Sequence, residues 1–134
     1  MSRTFVDTAF VVALVNQNDQ FHAQAAELSK KYENEPLIMT DMILFEIGNA
    51  LARNYKHEAV QIIKAFRSSA QTLIIELNSA LLGRAFDMYE KYDDKSWGMV
   101  DCLSFVVMQD YEIKDALTSD YHFKQASFNI LMQE

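Results

Sequence analysis

The sequence predicts an α/β fold with a mainly parallel central sheet. Short apolar runs alternate with longer segments whose apolar residues recur at helical spacing, and the alternation continues along the whole chain. Only 3 glycines and 1 proline occur among 134 residues, so long irregular loops are not expected. The length suits one domain without a linker, and residues 1–134 are expected to form it.

The first half of the chain is predicted to contain two buried strands and four helices. In chain order these are a strand at 4–6, helices at 8–15 and 22–33, a strand at 37–40, and helices from 41 to about 54 and from about 58 to 69. The second helix ends before Pro36, because proline is excluded from a helix interior. Asp41 is a suitable N-terminal cap for the third helix. The fourth has Val60, Ile63 and Phe66 near helical spacing.

The second half continues the alternation. It is predicted to hold a strand at 73–75, a helix at 80–92, a polar loop at 91–98, a helix at about 100–111, a strand at 115–118, a short helical turn at 120–125 and a last strand near 128–131. In the helix at 80–92, Leu82, Ala85, Phe86 and Tyr89 are expected to form an apolar stripe. The resulting order of strands and helices is typical of a parallel sheet.

The charge of the chain limits the function classes. The formal net charge is -7, which argues against a plain nucleic-acid-binding module, because such modules are usually basic. It argues less against a nuclease that gathers carboxylates around divalent ions. No apolar run approaches the roughly 20 residues needed to span a bilayer, and no secretory signal precedes the first strand. A cytoplasmic protein with no membrane partner is therefore expected.

The cysteine and histidine residues do not suggest a zinc site. Cys102 is the only cysteine, so it has no partner for an internal disulfide, and it is interpreted as a core residue in a protein of a reducing compartment. His22, His57 and His122 are widely spaced and are interpreted as surface residues. Any metal site in this chain is therefore expected to use oxygen ligands.

Four acidic residues stand in apolar surroundings: Asp7, Glu46, Asp101 and Asp120. Carboxylates are rarely buried unless they are paired, hydrogen-bonded or bound to a metal. Asp7 and Asp120 each follow a predicted strand, and ligands of parallel α/β sheets bind beyond the carboxyl ends of the strands. Because the sequence offers no matching buried cations, the four acids together predict one shared metal site.

Three of these acids also have an ordinary explanation. Asp7 and Asp120 could cap the helices that follow them, and Asp101 lies in the first turn of its helix, where a negative charge suits the dipole. Glu46 fits this explanation badly, because it lies in mid-helix with Asn49 one turn further along the same face. A shared site for Mg2+ or Mn2+, hard ions that prefer oxygen ligands, explains all four.

Four short motifs that contain these acids resemble the motifs of PIN domains. In chain order they are Phe5-Val6-Asp7-Thr8, Thr40-Asp41 with Phe45-Glu46-Ile47-Gly48-Asn49-Ala50-Leu51, Ser96-Trp97-Gly98-Met99-Val100-Asp101-Cys102-Leu103-Ser104-Phe105, and Ala116-Leu117-Thr118-Ser119-Asp120-Tyr121-His122-Phe123. Each motif alone is weak, but their order and spacing match across about residues 4–131. The resemblance implies a three-layer α/β/α PIN-like fold.

Stand-alone PIN domains of this size are similar to the VapC-like toxins of toxin–antitoxin pairs. That resemblance implies an Mg2+- or Mn2+-dependent endoribonuclease, often a homodimer, that is held inactive by a cognate antitoxin protein. It implies supporting roles for Thr8 and Asn49. It implies catalytic and metal-binding roles for the four acids, Asp7, Glu46, Asp101 and Asp120.

Several alternatives are open at this point. A PIN nuclease that processes RNA without a toxin role, and a catalytically inactive PIN-fold binding module, would share the fold. A receiver domain needs an acidic pair after the first strand, and a haloacid-dehalogenase-like phosphatase needs a second Asp where Ala9 stands, so both are disfavoured. For a homodimer, the contact is expected on the helix at 58–69, where Ile62, Ile63 and Phe66 give more apolar width than one buried face needs.

Overall fold

The computed structural model describes residues 2–134 and has a five-stranded sheet at its centre. The strands are β1 Thr4–Val6, β2 Leu37–Thr40, β3 Thr72–Ile75, β4 Asp115–Leu117 and β5 Asn129–Ile130. The helices are α1 Thr8–Val15, α2 His22–Lys31, α3 Asp41–Leu51, α4 Lys56–Ser68, α5 Ser79–Lys91, α6 Met99–Asp110 and α7 Tyr121–Gln125. The strand order is β3-β2-β1-β4-β5 and every pairing is parallel. The predicted α/β fold is therefore confirmed.

The strand order reverses direction at β1, the central strand. From β1 the chain moves outward through β2 to β3, and it then returns across the sheet to β4 on the other side of β1. Because parallel crossovers are right-handed, this reversal places α1–α4 on one face of the sheet and α5–α6 on the other. The packing agrees, since α1 contacts α2 and α3, α3 contacts α4, and α5 contacts α6. Such a reversal opens a crevice at the carboxyl ends of β1 and β4.

The core fills the space between the sheet and both layers of helices. In α6, seven consecutive residues from Cys102 to Met108 are buried, so this helix is surrounded on nearly all sides. Cys102 is 0% exposed, as a core residue should be. Phe105 packs edge-on against Phe123 with 5.0 Å between ring centroids, and both are 0% exposed. This contact fixes α6 relative to α7 and so positions the N-termini of both helices.

Some details of the helices differ from the sequence prediction. Helices α2 and α3 each end two or three residues before the predicted position. The cap of α3 is Thr40, whose hydroxyl oxygen accepts a hydrogen bond from the N–H of Ile43 at 3.4 Å. Asp41 is the first helical residue, and its carboxylate accepts from the N–H of Leu77 at 3.2 Å. The acid predicted as a cap therefore connects the start of α3 to the segment before α5.

The apolar stripe expected on α5 is divided between two faces of the helix. Its buried face consists of Leu81, Ala85 and Met88, at the i, i+4 and i+7 positions that turn toward the core and α6. Of the four residues in the expected stripe, only Ala85 is buried. The other three form an exposed apolar surface, called here the α5 face: Leu82 (50% exposed), Phe86 (50%) and Tyr89 (46%).

Candidate metal centre

The four predicted site residues line one cavity beyond the carboxyl ends of β1 and β4. Asp7 directly follows β1, Asp120 follows β4, Asp101 lies in the first turn of α6, and Glu46 lies in the middle of α3. The cavity has a volume of about 480 Å3 and is also lined by Thr8, Ala9, Asn49 and Ala50. The reversal of the strand order thus brings together side chains that are distant in sequence.

Asp7 is buried, with only 6% of its surface exposed. The hydroxyl of Thr118, which is itself buried, donates a hydrogen bond to Asp7 Oδ2 at 2.7 Å. Burial raises the pKa of Asp7 to about 7, against the lowering effect of the Thr118 bond. The nearby charges of Asp120 and Asp101 contribute to this rise. A carboxyl group with this pKa releases its proton readily at neutral pH when a cation approaches.

Glu46 is half-buried and faces the same cavity. Ile43 and Ile47, both 0% exposed, anchor the inner side of α3 and so fix the direction of the neighbouring Glu46 side chain. The Thr8 hydroxyl donates to Glu46 Oε1 at 2.7 Å. Burial raises the pKa of Glu46, and the Thr8 bond partly offsets the rise. Glu46 therefore sits where an ionised carboxylate is costly without a cation.

Asp101 and Asp120 share a histidine. The Nδ1 atom of His122 lies 3.0 Å from Asp101 Oδ2 and 3.4 Å from Asp120 Oδ1. The backbone N–H of Gly98 also donates to Asp101 Oδ2, at 3.1 Å, and the backbone N–H of His122 donates to Asp120 Oδ1 at 2.9 Å. Ligand atoms of Asp101, Asp120 and His122 all lie within 4.8 Å of one another.

Sequence reasoning misses two residues of this site, His122 and Thr118. The prediction of an ordinary surface position for His122 is wrong, because its ring is partly buried and contacts two of the acids. The signal lies in the fourth motif, where Thr118, Asp120 and His122 occupy alternate positions after β4. The other two histidines have no part in the cavity: His22 Nδ1 lies 2.9 Å from a backbone carbonyl oxygen, and His57 is exposed.

Helix capping accounts for only part of the acidic set. Asp120 does cap α7, since it accepts from the N–H of His122, and Asp101 accepts from the N–H of Gly98 at the start of α6. Asp7 precedes α1 but makes no side-chain capping bond. Glu46 lies in mid-helix. Capping therefore leaves unexplained the two acids whose pKa values are raised by burial.

The donor pattern suits a small divalent cation. In each carboxylate one oxygen accepts a hydrogen bond from the chain: Asp7 Oδ2, Glu46 Oε1, Asp101 Oδ2 and Asp120 Oδ1. Within residues 2–134, no side-chain donor reaches the second oxygen of any of the four, and no Lys or Arg forms an ion pair with them. Clustered carboxylates repel one another, and a hard cation bound to the second oxygens would remove that repulsion.

Fold and site together define a parallel α/β protein with a carboxylate-lined centre in the crevice beyond its strand ends. This chain belongs to the PIN domain family, which matches residues 4–129. The four motifs that carry the acids all fall within this match, so the family assignment made from those motifs is confirmed.

Similar proteins share nearly the full length of the chain. The 23S rRNA-specific endonuclease VapC20 of Mycobacterium tuberculosis, from the CDC 1551 / Oshkosh and H37Rv strains, is 31% identical over 125 residues, which cover 92% of this chain and 94% of VapC20. The crystal structure of Mycobacterium tuberculosis VapC20, a toxin that cleaves the sarcin–ricin loop, superposes with a TM-score of 0.86 at 27% identity. That match covers 97% of this chain and 99% of VapC20. The predicted PIN-like fold and the similarity to VapC-like toxin ribonucleases are confirmed.

Proposed function

We propose that this chain is a metal-dependent endoribonuclease that acts as the toxin of a toxin–antitoxin pair. The observation that carries the proposal is the convergence of four carboxylates, from four separate segments, on one cavity. Membership of the PIN family and the likeness to a 23S rRNA-specific endonuclease support an endonuclease that acts on RNA. The complete acidic set argues against an inactive binding module, because such a module has no use for clustered and mutually repelling carboxylates.

The residues that would hold Mg2+ or Mn2+ are Asp7, Glu46, Asp101 and Asp120, through the oxygens that the chain does not already hold. When bound there, the ion would polarise the scissile phosphate and lower the pKa of a water molecule. Oxygen ligands favour these hard ions over softer metals. We place the catalytic role on the same four acids.

Neighbouring side chains of the protein position the carboxylates and supply hydrogen-bond donors in the cavity. Thr118 and Thr8 hold Asp7 and Glu46 in fixed orientations, so the carboxylates need little rearrangement during the reaction. In the metal-free protein the pKa of Asp7 is about 7, so its carboxyl group can give up its proton near neutral pH when a cation binds. Asn49 lines the cavity one turn from Glu46 and offers amide N–H donors to a phosphate oxygen.

We propose a structured RNA, rather than any single strand, as the substrate class. VapC20 is specific for 23S rRNA and cleaves the sarcin–ricin loop, and the two chains match over nearly their full lengths. The net charge of -7 gives this chain little general attraction for a phosphate backbone. Recognition by RNA shape fits such a surface better than attraction by bulk charge. A sarcin–ricin loop RNA is therefore the first substrate to test.

A toxin of this kind also needs partner surfaces, and the protein has two apolar candidates. One is a cavity of about 300 Å3 bordered by α1, α2 and α4, with Phe10, Leu14, Ile62 and Phe66 in its lining. The other is the α5 face. We propose a homodimer and a bound antitoxin, which require separate surfaces if both are present at once. The sequence predicts the dimer contact on α4. Ile62 and Phe66 of that helix already pack partly against the protomer's own core, so the α5 face is the competing location.

We place the protein in the cytoplasm, as one domain of residues 1–134 with direct access to RNA. Within residues 2–134, no helix combines the length and the apolar character that a membrane span requires. The match to the PIN family extends over residues 4–129, which supports the single-domain proposal.

The decisive experiment is a cleavage assay on a pool of structured RNAs that includes a sarcin–ricin loop, beside a generic oligonucleotide. We expect site-specific cleavage that EDTA stops and that added Mn2+ restores. Cleavage that persists in EDTA would overturn the metal-dependent mechanism. The toxin role has a separate test: expression should arrest growth, and coexpression of a cognate antitoxin should relieve the arrest. An active nuclease that leaves growth unaffected would be an RNA-processing enzyme without a toxin role.

A further inference from the structure

We propose that His122 and Ser96 form a positioning pair that orients the Asp101 carboxylate toward the cation. The inference rests on the proposed metal-dependent function and extends it to two residues outside the acidic set. His122 contacts Asp101 on one side of its ring and Ser96 on the other. The role is indirect, since His122 acts through Asp101.

One oxygen of the Asp101 carboxylate has two hydrogen-bond partners. Asp101 Oδ2 lies 3.0 Å from His122 Nδ1 and also accepts the N–H of Gly98 at 3.1 Å. An ionised carboxylate only accepts hydrogen bonds, so the Nδ1 atom must carry the proton and donate it. With Oδ2 occupied by two donors, Oδ1 is the oxygen available to a cation. The orientation of Asp101 is thereby fixed by a backbone donor and a side-chain donor on the same atom.

On the side of the imidazole ring opposite Asp101, His122 contacts Ser96. His122 Nε2 lies 3.2 Å from the hydroxyl oxygen of Ser96. Because Nδ1 bears the proton that faces Asp101, a neutral ring accepts the Ser96 hydroxyl at Nε2. The His122 ring, which belongs to α7, thus contacts both the loop before α6 through Ser96 and the first turn of α6 through Asp101. A carboxylate-to-histidine contact of this kind controls the orientation of a metal ligand, and its loss typically weakens metal affinity by about 10- to 100-fold.

His122 is itself held in place by contacts of its backbone and of its side chain. Its backbone N–H is held by Asp120 at 2.9 Å, and the adjacent Phe123 is 0% exposed within the core. The His122 side chain retains 29% exposure, so this partly open group owes its fixed position to the Asp101 and Ser96 contacts. A direct metal bond through Nδ1 would require a lone pair on that atom, and donation to Asp101 removes it. The geometry therefore favours positioning over ligation.

The test measures Mn2+ binding to the RNA-free protein by titration calorimetry. We expect His122→Ala to weaken Mn2+ binding about tenfold and Ser96→Ala about threefold, as loss of outer contacts does. His122→Asn should stay within about threefold of wild type, because the Asn amide places an N–H near the former Nδ1 position. The exposed His57 supplies the matched control, and His57→Ala should bind Mn2+ like wild type.

Two further readouts separate positioning from other roles. In RNA cleavage, His122→Ala should raise the Mn2+ concentration needed for half-maximal activity, with the rate at saturating Mn2+ within about threefold of wild type. Pulsed electron paramagnetic resonance of Mn2+ bound to wild type should show no directly coordinated nitrogen. Melting curves should first establish that each variant is folded.

Each result bears on the inference. A nitrogen signal that His122→Ala removes would make His122 a ligand and overturn the positioning role. Equal weakening by the Asn and Ala variants would also overturn it, because donation to Asp101 would then not be the operative contact. If His122→Ala does not fold, unchanged Mn2+ binding in Ser96→Ala would suffice to reject the pair. Failure of wild type to bind Mn2+ would instead refute the proposed metal dependence.

Discussion

Asp7 is a carboxyl group that is 6% exposed, whereas Phe86 is an apolar side chain that is 50% exposed. The cavity lined by the four acids has buried carboxylates, and the α5 face has exposed apolar side chains. The two regions therefore depart in opposite ways from the usual pattern of apolar residues inside and charged residues outside. In the cavity, the fold supplies a hydrogen-bond donor to every carboxylate, because a buried charge without a partner is costly. No such compensation is needed on the α5 face, because exposed apolar area costs comparatively little.

The buried acids and the exposed apolar side chains have different causes. The acids are organised from inside the protomer by Thr8, Thr118 and His122, so their geometry exists before any ligand arrives. The α5 face has no internal reason to be apolar, so its explanation is sought in a second molecule. The cavity should therefore respond to ions and protons, and the α5 face to protein concentration.

Neutralising a carboxylate of the cavity should have the strongest consequence, the loss of catalysis. Asp7→Asn and Asp101→Asn should each lower metal-dependent RNA cleavage by at least about 100-fold, because the charge that holds the ion is gone while the shape is kept. The rate of cleavage at saturating Mn2+ checks this. Asp87 is an exposed acid on α5 outside the cavity, and Asp87→Asn should cleave like wild type. Activity retained in the Asp7→Asn/Asp101→Asn double variant would point to a different mechanism.

The second effect concerns the pH dependence of metal-free stability. The pKa of Asp7 is about 7 in the folded protein, against an ordinary value of 3.8 for a solvated aspartate, so the folded state binds this proton more tightly. The resulting stability is complete below pH about 4 and is lost as pH rises through about 7. The full loss is on the order of 4 kcal/mol for a shift of this size. Asp7→Asn removes the titration and should be more stable than wild type above neutral pH.

Urea unfolding of both proteins in EDTA, between pH 5 and 8, measures the difference. The gap between Asp7→Asn and wild type should widen toward pH 7 and then level off. Asp87→Asn should follow the wild-type curve across the same range. A gap independent of pH would mean that Asp7 does not titrate in this window.

A smaller effect is expected from metal binding to the folded protein. Mn2+ at about 100 times its dissociation constant should stabilise wild type by about 2.7 kcal/mol through mass action. The melting temperature should rise with Mn2+ in wild type and stay constant in the Asp7→Asn/Asp101→Asn variant. If millimolar Mn2+, Mg2+ and Ca2+ all leave the wild-type melting temperature unchanged, the shared site is wrong.

The smallest and least direct effect concerns the α5 face. Leu82→Glu combined with Phe86→Glu should weaken a homodimer by about tenfold or more, because charge would enter an apolar interface. Sedimentation across a concentration series measures the change. Val60→Glu is the matched variant on α4, where that side chain is 44% exposed. Loss of the dimer in Val60→Glu alone would place the contact on α4, as the sequence predicts, and a wild-type monomer at every concentration would remove the dimer altogether.

Much of the architecture was accessible from local patterns. The observed bounds of β1, α1 and β2 coincide with those expected, because short apolar runs next to polar residues have few other solutions. The position of Asp7 beyond β1 follows from the same logic. The convergence of the acids depends additionally on strand order, which periodicity does not determine; the resemblance to PIN motifs implied the shared site without giving that order.

The predictions that were wrong, for the apolar stripe of α5 and for His122, also have specific causes. On α5 both sides of the helix carry apolar residues, so spacing alone does not decide whether Leu81 or Leu82 faces the core. His122 gains its role from Ser96, 26 positions earlier, and from Asp101, 21 positions earlier. Contacts over such separations depend on the packing of α6 against α7, which no short segment encodes.

The bond between Thr118 and Asp7 joins residues 111 positions apart. A growing polypeptide that has Asp7, Glu46 and Asp101 in place still lacks the donor for Asp7 and the acid contributed by Asp120. The cavity is therefore complete only when β4 takes its place beside β1. A partly folded chain without this pairing therefore lacks the complete acidic set, so the chemistry of the cavity depends on completion of the fold.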